Sequence, residues 1–264
     1  VAGQLGISYY VMNFKNEFKE NVIDYFVEEY KLGRTPNPCI ACNRYVKWES
    51  LLRRSLEIGA DYIATGHYAR ICQLENGRYA IRNSVTAKKD QTYALYNLTQ
   101  HQLEHTIMPI GDYTKEQVRK IAEDNNLMVA HKPDSQEICF VEDDDYAKFI
   151  TDYSGYKPKE GDILDINGNV IGKHRGLIYY TIGQRKGIGA YGRPMFVMKI
   201  DAENNTITLG EKGMEFSNEL TAYDVNFVSG EFPKENMLIT AKVRYQAPPA
   251  AAMLCPQKDG TVKF

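Results

Sequence analysis

The chain has 264 residues, 43% of them hydrophobic and 25% charged, with a formal net charge of -2. This is the composition of an ordinary folded protein of two or three domains, and it excludes a globally basic nucleic-acid binder, so any polyanion partner must be met by local patches. No apolar run approaches a membrane span, no signal peptide opens the chain, and five cysteines, an odd number, argue against a secreted disulfide framework; a cytoplasmic location is expected.

Val1 to Gly6 reads as the tail of a helix. Ile7 to Asn13 is rich in strand formers and predicts a buried parallel strand. Phe18, Val22, Phe26 and Tyr30 fall on one helical face, and Gly33 stops that helix. From Gly33 to Asn43 the chain reads Gly-Arg-Thr-Pro-Asn-Pro-Cys-Ile-Ala-Cys-Asn. Pro36 and Pro38 hold this stretch extended and present Asn37 between them. Tyr45, Trp48, Leu52 and Leu56 then mark the face of a second helix, which places Cys42 at or near a helix N-terminus, where unpaired amides favour a thiolate. Cys39 and Cys42 have three other readings: half of a zinc site, a thioredoxin-like redox pair, or inert packing. Zinc needs about four ligands, and Cys72, Cys139 and Cys255 form no second close pair. A redox pair would follow a strand directly, not a Pro-Asn-Pro loop.

Asp61 to Thr65 predicts the next strand, giving a βα-type layout with a parallel sheet. Gly66 and His67 lie just past its carboxyl end, where open α/β sheets bind ligands. Gly66 would let a ligand approach the backbone closely. A hairpin is expected from Tyr68 to Arg82, turning at Glu75-Asn76-Gly77. Thr114 and Gln117 form a capping box for a helix with Val118, Ile121 and Ala122 on its core face. Asp134 to Phe140 is a polar loop containing Cys139, and a short helix near Tyr146 to Tyr153 closes the first domain. Beyond Ser154 the chain becomes glycine-rich and alternating. Hairpins are expected around Asn167-Gly168-Asn169 and around Asp201 to Asn205, and a strand over Met237 to Tyr245. Lys173-His174-Arg175, Arg185-Lys186 and Arg244-Tyr245 are basic points that could follow a phosphate backbone, with Tyr245 able to stack on a base.

Five motifs occur in order along the chain: Arg34-Thr-Pro-Asn-Pro38 with Cys42-Asn43, Ala64-Thr-Gly-His-Tyr-Ala-Arg70, Lys89-Asp-Gln-Thr-Tyr93, Asp134-Ser-x-x-Ile-Cys-Phe140 and Tyr180-Thr-Ile-Gly-Gln-Arg185. Together they resemble the bacterial tRNA-specific 2-thiouridylases, ATP-dependent sulfurtransferases acting on the wobble uridine. The resemblance implies an α/β fold: an adenine-nucleotide α-hydrolase-like domain with a parallel sheet (1–153), a small mostly-β central domain (154–213) and a partial β-barrel (214–264). It implies that Cys139 carries the donor sulfur as a persulfide and that Cys42 is its partner thiol, the two passing through a disulfide. Gly66 is then the nucleotide contact, and Asn37, Pro38, Cys39, His67, Lys89, Asp90, Gln91, Arg244 and Tyr245 face tRNA. ATP and Mg2+ are the implied cofactors, and a cysteine desulfurase or sulfur-relay protein is the implied partner beside a tRNA with a wobble uridine.

Two departures qualify the resemblance. The family usually carries aspartate where this chain has Cys39, and three thiols at Cys39, Cys42 and Cys139 make an iron–sulfur site the minority alternative. The Ser-Gly-Gly-x-Asp-Ser loop that grips ATP in the family does not occur in this sequence, so the chain reads as a fragment lacking both ends. The rivals are another ATP-pyrophosphatase-type ligase and a non-catalytic tRNA-binding module.

Overall fold

The computed structural model describes residues 1–132, 138–214, 217–245 and 247–264. Two compact units divide the chain. Val1–Phe18, Cys39–Asp134 and Glu219–Phe264 make up the first, and Lys19–Pro38 with Ser135–Asn218 the second.

Helix α1 (Ala2–Leu5) ends at Gly6 in the left-handed conformation. Residues 7–13 then form no regular element and join no sheet of the described residues, and Ile7, Tyr9, Tyr10 and Val11 are exposed, Val11 to 80%. The buried parallel strand expected here is therefore not formed. Strand-forming side chains favour an extended backbone, but a strand is completed by a neighbour whose amides and carbonyls pair with its own. Helix α2 (residues 15–31) follows, with Gly33 beyond it at φ 71°. Helix α3 (residues 38–57) opens on Pro38, whose missing N–H is no loss at a position that lacks an intrahelical partner. Its middle, Cys42–Leu51, is wound as a π-helix.

The core of the first unit forms where α3 lays Trp48 and Leu52 against Ile63, Ala69, Leu95, Leu98, Leu103 and Met108. Strand β1 (Ile63–Ala64) precedes the hairpin of β2 (Ala69–Gln73) and β3 (Tyr79–Asn83), which turns at the expected residues with Leu74 N donating to Arg78 O at 2.7 Å. Helix α4 (Gln100–Glu104) leads into β4 (Thr106–Ile107), and β4 pairs parallel with β1. Trp48 Nε1 donates to Thr106 Oγ1 at 2.8 Å, so the largest side chain of this core is also satisfied in its polar group. Helix α5 (Lys115–Asp124) has the expected capping box, Thr114 N donating to Gln117 Oε1 at 2.7 Å and Gln117 N to Thr114 Oγ1 at 3.3 Å. Its expected core face is covered incompletely: Val118 and Ala122 are half-buried, and Ile121 is exposed.

In the second unit, α2 contributes Phe26, Val27 and Tyr30 to a core with Ala147, Ile150 and Ile178, and helix α6 (Tyr146–Ser154) supplies the facing side. Strands β5 (Gly161–Leu164), β6 (Val170–His174), β7 (Phe196–Asp201) and β8 (Thr206–Gly210) form an open sheet in the order β6–β5–β8–β7. Both expected hairpins are present. In the first, Asp165 Oδ1 accepts from the amides of Asn167 and Asn169 while Gly168 takes φ 85°. Val197, Ile207 and Leu209 are fully buried beneath this sheet.

The chain returns to the first unit with β9 (Thr221–Ala222), β10 (Met237–Ala241), β11 (Ala250–Pro256) and β12 (Val262–Lys263), an open antiparallel sheet in the order β10–β11–β12–β9. Strand β10 stops at Ala241, short of the expected Tyr245.

Candidate functional site

Cys42 is the fifth residue of α3, near its N-terminus as expected, and Cys39 lies in the first turn. Cys39 is exposed and Cys42 half-buried. The next residue, Asn43, is 3% exposed. Its Nδ2 donates to Ala94 O at 2.9 Å, and Lys47 Nζ donates to its Oδ1 at 2.9 Å. The Cys42 end of α3 is thereby pinned to the 3-10 turn Thr92–Leu95. The sequence motif contained Asn43 without revealing this role. A detectable signal was an asparagine inside a helix that otherwise spaces apolar residues regularly, since asparagine is a poor interior helix former.

The loop before that turn carries Lys89, Asp90 and Gln91. Asp90 Oδ2 accepts from Ser84 N at 2.8 Å, and Oδ1 accepts from Thr92 N at 3.1 Å and from the Thr92 hydroxyl. Gln91 Oε1 accepts from Tyr68 N, while Gln91 N donates to Tyr68 O, both at 2.9 Å. Both side chains thus shape the loop from within. Lys89 is half-buried and Lys88 exposed. Tyr245 OH donates to Asp90 O at 3.0 Å, and its ring meets Tyr93 edge-on with centroids 6.1 Å apart. Arg244 is exposed beside it, and Lys242 Nζ lies 5.4 Å from the Tyr245 ring centroid. Arg244 and Tyr245 therefore join the 89–93 loop across about 150 residues of sequence, as Tyr245 to Asp90 shows.

His67 lies past the carboxyl end of β1, 8% exposed, its ring 5.4 Å from the Trp48 indole and its Nδ1 2.9 Å from Thr65 Oγ1. Burial, helped by the Lys47 charge, pulls its pKa down to about 4. It is neutral at physiological pH, a hydrogen-bonding group and not a cation. At Gly66 an added Cβ would meet nothing nearer than Ile110 Cδ1 at 4.0 Å. Among the described residues, a side chain's first carbon at this position would thus meet only an ordinary van der Waals contact.

In the second unit, Cys139 is exposed in a turn, held by its neighbour Phe140, whose ring sits 5.3 Å from Phe26 and 5.2 Å from Phe149. The motif residues 134–137 before it lie outside the described residues. None of the five cysteines is in a disulfide. Asn37 is exposed and Pro38 buried. Thr35 Oγ1 donates to Thr181 Oγ1 at 3.1 Å, which joins the motif at 34–38 to that at 180–185. Gln184 organises the latter, accepting from Thr181 N at 2.9 Å and donating to Lys186 O at 2.9 Å. His174 is withdrawn from any phosphate contact. It is 1% exposed, its Nε2 is bonded to Asn205 O at 2.9 Å and its Nδ1 accepts from Gly176 N at 3.1 Å. Lys173 pairs with Asp162, and Arg175 stacks 4.0 Å from the Tyr179 ring centroid.

Residues 1–143 match the family described as the tRNA methyl transferase HUP domain, and residues 147–211 the tRNA methyl transferase PRC-barrel domain. The chain is 58% identical over 265 residues to the tRNA-specific 2-thiouridylase MnmA of Acetivibrio thermocellus, covering 100% of this chain and 74% of that protein. The protein of the same name from Lachnoclostridium phytofermentans is 61% identical over 246 residues, 93% of this chain and 69% of the relative. That of Clostridioides difficile is 53% identical over 266 residues, 100% and 74%. The chain belongs to the tRNA-specific 2-thiouridylase family. In this thiouridylase-family chain the sequence motifs are not independent surface features. Asn43 to Ala94 and Tyr68 to Gln91 lock three of them together in the first unit, and Thr35 to Thr181 ties two in the second.

Proposed function

We propose that this chain acts in the 2-thiolation of the wobble uridine of tRNA, with Cys42 and Cys139 as the working thiols. The observation that carries the reading is the interlocking of the Cys42 helix, the Gly66–His67 strand end and the Lys89–Tyr93 loop through Asn43, Tyr68 and Gln91. The family's thiouridylases supply the reaction class. Residues 1–153 form the catalytic part in this reading, 154–213 a small central domain and 214–264 a β domain, whose sheet among the described residues is open and not closed into the expected partial barrel. Asn37, Cys39, His67, Lys89, Arg244 and Tyr245 contact tRNA, the buried Pro38 presenting Asn37, whereas Asp90 and Gln91 act chiefly by shaping the loop that presents Lys89. His67, being neutral, addresses a hydroxyl or a base edge and not a phosphate. The setting is the cytoplasm; no helix of the described residues is long and apolar enough to cross a membrane.

ATP supplies activation of the uridine carbonyl oxygen, which is otherwise a poor leaving group. Gly66 suits the edge of its adenine or ribose, because among the described residues an added Cβ there would meet only Ile110 Cδ1, at 4.0 Å. Mg2+ would accompany the ATP phosphates and partly neutralise their charge. Sulfur enters as a persulfide on Cys139, loaded by a cysteine desulfurase or a sulfur-relay protein. The Cys42 thiolate attacks the inner sulfur of Cys139–S–SH, the S–S bond of the persulfide breaks, and a Cys42–Cys139 disulfide forms as hydrosulfide departs. The hydrosulfide adds at C2 of the uridine, and the activated oxygen leaves. An external dithiol returns the disulfide to two thiols.

Cys42→Ser and Cys139→Ser should each abolish thiolation while leaving tRNA affinity within a few-fold, measured in a strain lacking the native enzyme and by filter binding. Cys39→Ser separates the routes: the disulfide route tolerates it in part, whereas a cluster held by three thiolates does not. Full activity in Cys139→Ser overturns the persulfide assignment. The family description in terms of methyl transfer makes a second reading testable in the same experiment. High-resolution mass spectrometry of the digested tRNA distinguishes exchange of oxygen for sulfur from addition of a methyl group. Product that depends on the chain but not on either cysteine would favour the non-catalytic tRNA-binding module.

A further inference from the structure

We propose that His101, Glu104 and His105 form a binding site for a divalent transition-metal ion of the zinc class at the carboxyl end of α4. One ligand atom from each residue lies within 4.8 Å of the other two. The spacing i, i+3, i+4 brings His105, the residue that caps α4, next to His101 and Glu104, and the two imidazole centroids are 4.6 Å apart. Ligands about 2.1 Å from a tetrahedral ion stand about 3.4 Å from one another, so closure asks for small rotations of side chains that are exposed or half-exposed.

The tautomer of His105 is already that of a ligand. Its Nδ1 sits 2.9 Å from the His101 carbonyl oxygen. A carbonyl can only accept, so Nδ1 carries the proton and Nε2 presents its lone pair. A backbone carbonyl on the far nitrogen is the usual arrangement that orients a metal-bound imidazole. Two imidazoles and one carboxylate suit zinc, cobalt or nickel; calcium and magnesium prefer all-oxygen shells. Three protein ligands leave room for water to complete the coordination. The site is independent of the thiols and of the proposed thiolation chemistry.

The ion would brace a junction that ties the first unit together. Gln100, at the start of α4, accepts from Tyr79 N at 2.8 Å and donates to the carbonyls of Tyr79 and Val228. Gln102 reaches Trp48 O at 3.3 Å, and Thr106, one residue past the cluster, takes the Trp48 indole N–H. An ion that binds the folded helix and not the unfolded chain raises stability by mass action.

The test is titration of the reduced, metal-free chain with Co2+, followed by visible absorption, together with thermal melts in the presence and absence of Zn2+. The expected result is a single high-affinity ion with d–d bands and no thiolate-to-cobalt charge transfer. In the His101→Ala/His105→Ala variant its dissociation constant should rise by more than about tenfold, a loss that a second-shell partner alone can cause, and the Zn2+-dependent rise in melting temperature should vanish. Glu104→Gln should weaken binding while leaving the imidazole-derived bands. Far-UV circular dichroism checks that the variants fold. Charge-transfer bands that persist in the double-histidine variant would assign the ion to the cysteines and overturn the proposal. Absence of binding up to millimolar Co2+ would overturn it as well.

Discussion

His67 couples stability to pH in a direction its burial dictates. Its folded pKa is about 4, below the ordinary value of 6.5. The unfolded chain therefore takes up a proton on this ring as pH falls through about 6.5, and the folded chain does so only near 4. Its contribution to stability is complete above the unfolded value and is lost progressively as pH falls through this window. Within it the slope from this one group approaches about 1.4 kcal/mol per pH unit. Urea unfolding of the native chain and of His67→Gln between pH 7 and pH 4.5 should show a shallower loss in the variant. Equal slopes would mean that the ring is hydrated in solution. Thr65 Oγ1 touches the ring and the Lys47 charge faces it.

Helix α3 is the element on which the thiolation reading turns, and Asn43 holds it. Asn43→Ala leaves the Ala94 carbonyl without its partner and Lys47 without its acceptor. Loss of a buried hydrogen-bond partner costs about 1–3 kcal/mol, so the midpoint of urea unfolding should fall accordingly. Thiolation should fall further than tRNA affinity, because Cys42 is the neighbour released while Arg244 and Tyr245 keep their places on the 89–93 loop. A variant with native stability and full thiolation would show that the Asn43–Ala94 bond does not position the thiol. The exposed run at residues 7–13 makes a contrast: largely apolar and unpaired in any sheet of the described residues.

At the scale of the molecule, a net charge of -2 means that attraction for tRNA is local. The second unit offers less than its sequence advertised, since His174 is buried, Lys173 is paired with Asp162 and Arg175 lies against Tyr179. The exposed cations about the 89–93 loop, Lys88 and Lys242 with Arg244, are the stronger candidates for phosphate contacts. Arg244→Gln should weaken binding of all tRNAs alike and reduce the slope of log K against log salt by about one unit. An affinity indifferent to salt in the native chain would sink the phosphate reading of this residue.

Local chemistry was legible in the residues themselves. The turn at Asn167-Gly168-Asn169, the capping box of Thr114 and Gln117, the helical face of Val22, Phe26 and Tyr30, and the stop at Gly33 all follow from interactions within a few residues. Such interactions need no knowledge of the rest of the chain. The five motifs in order were enough to indicate the family. What only the tertiary structure decided depends on which distant atoms come together. Pairing of a strand, burial of His67 against Trp48, the internal use of Asp90 and Gln91, and the meeting of Asn43 with Ala94 span from 6 to 51 residues or have no local cause at all. Residues 7–13 have the side chains of a strand without a neighbour, and Ile121 has the spacing of a core residue without a cover. Periodicity states which face of an element is apolar; desolvation, and with it the pKa of a histidine or the satisfaction of a carboxylate, is set by whatever packs against that face.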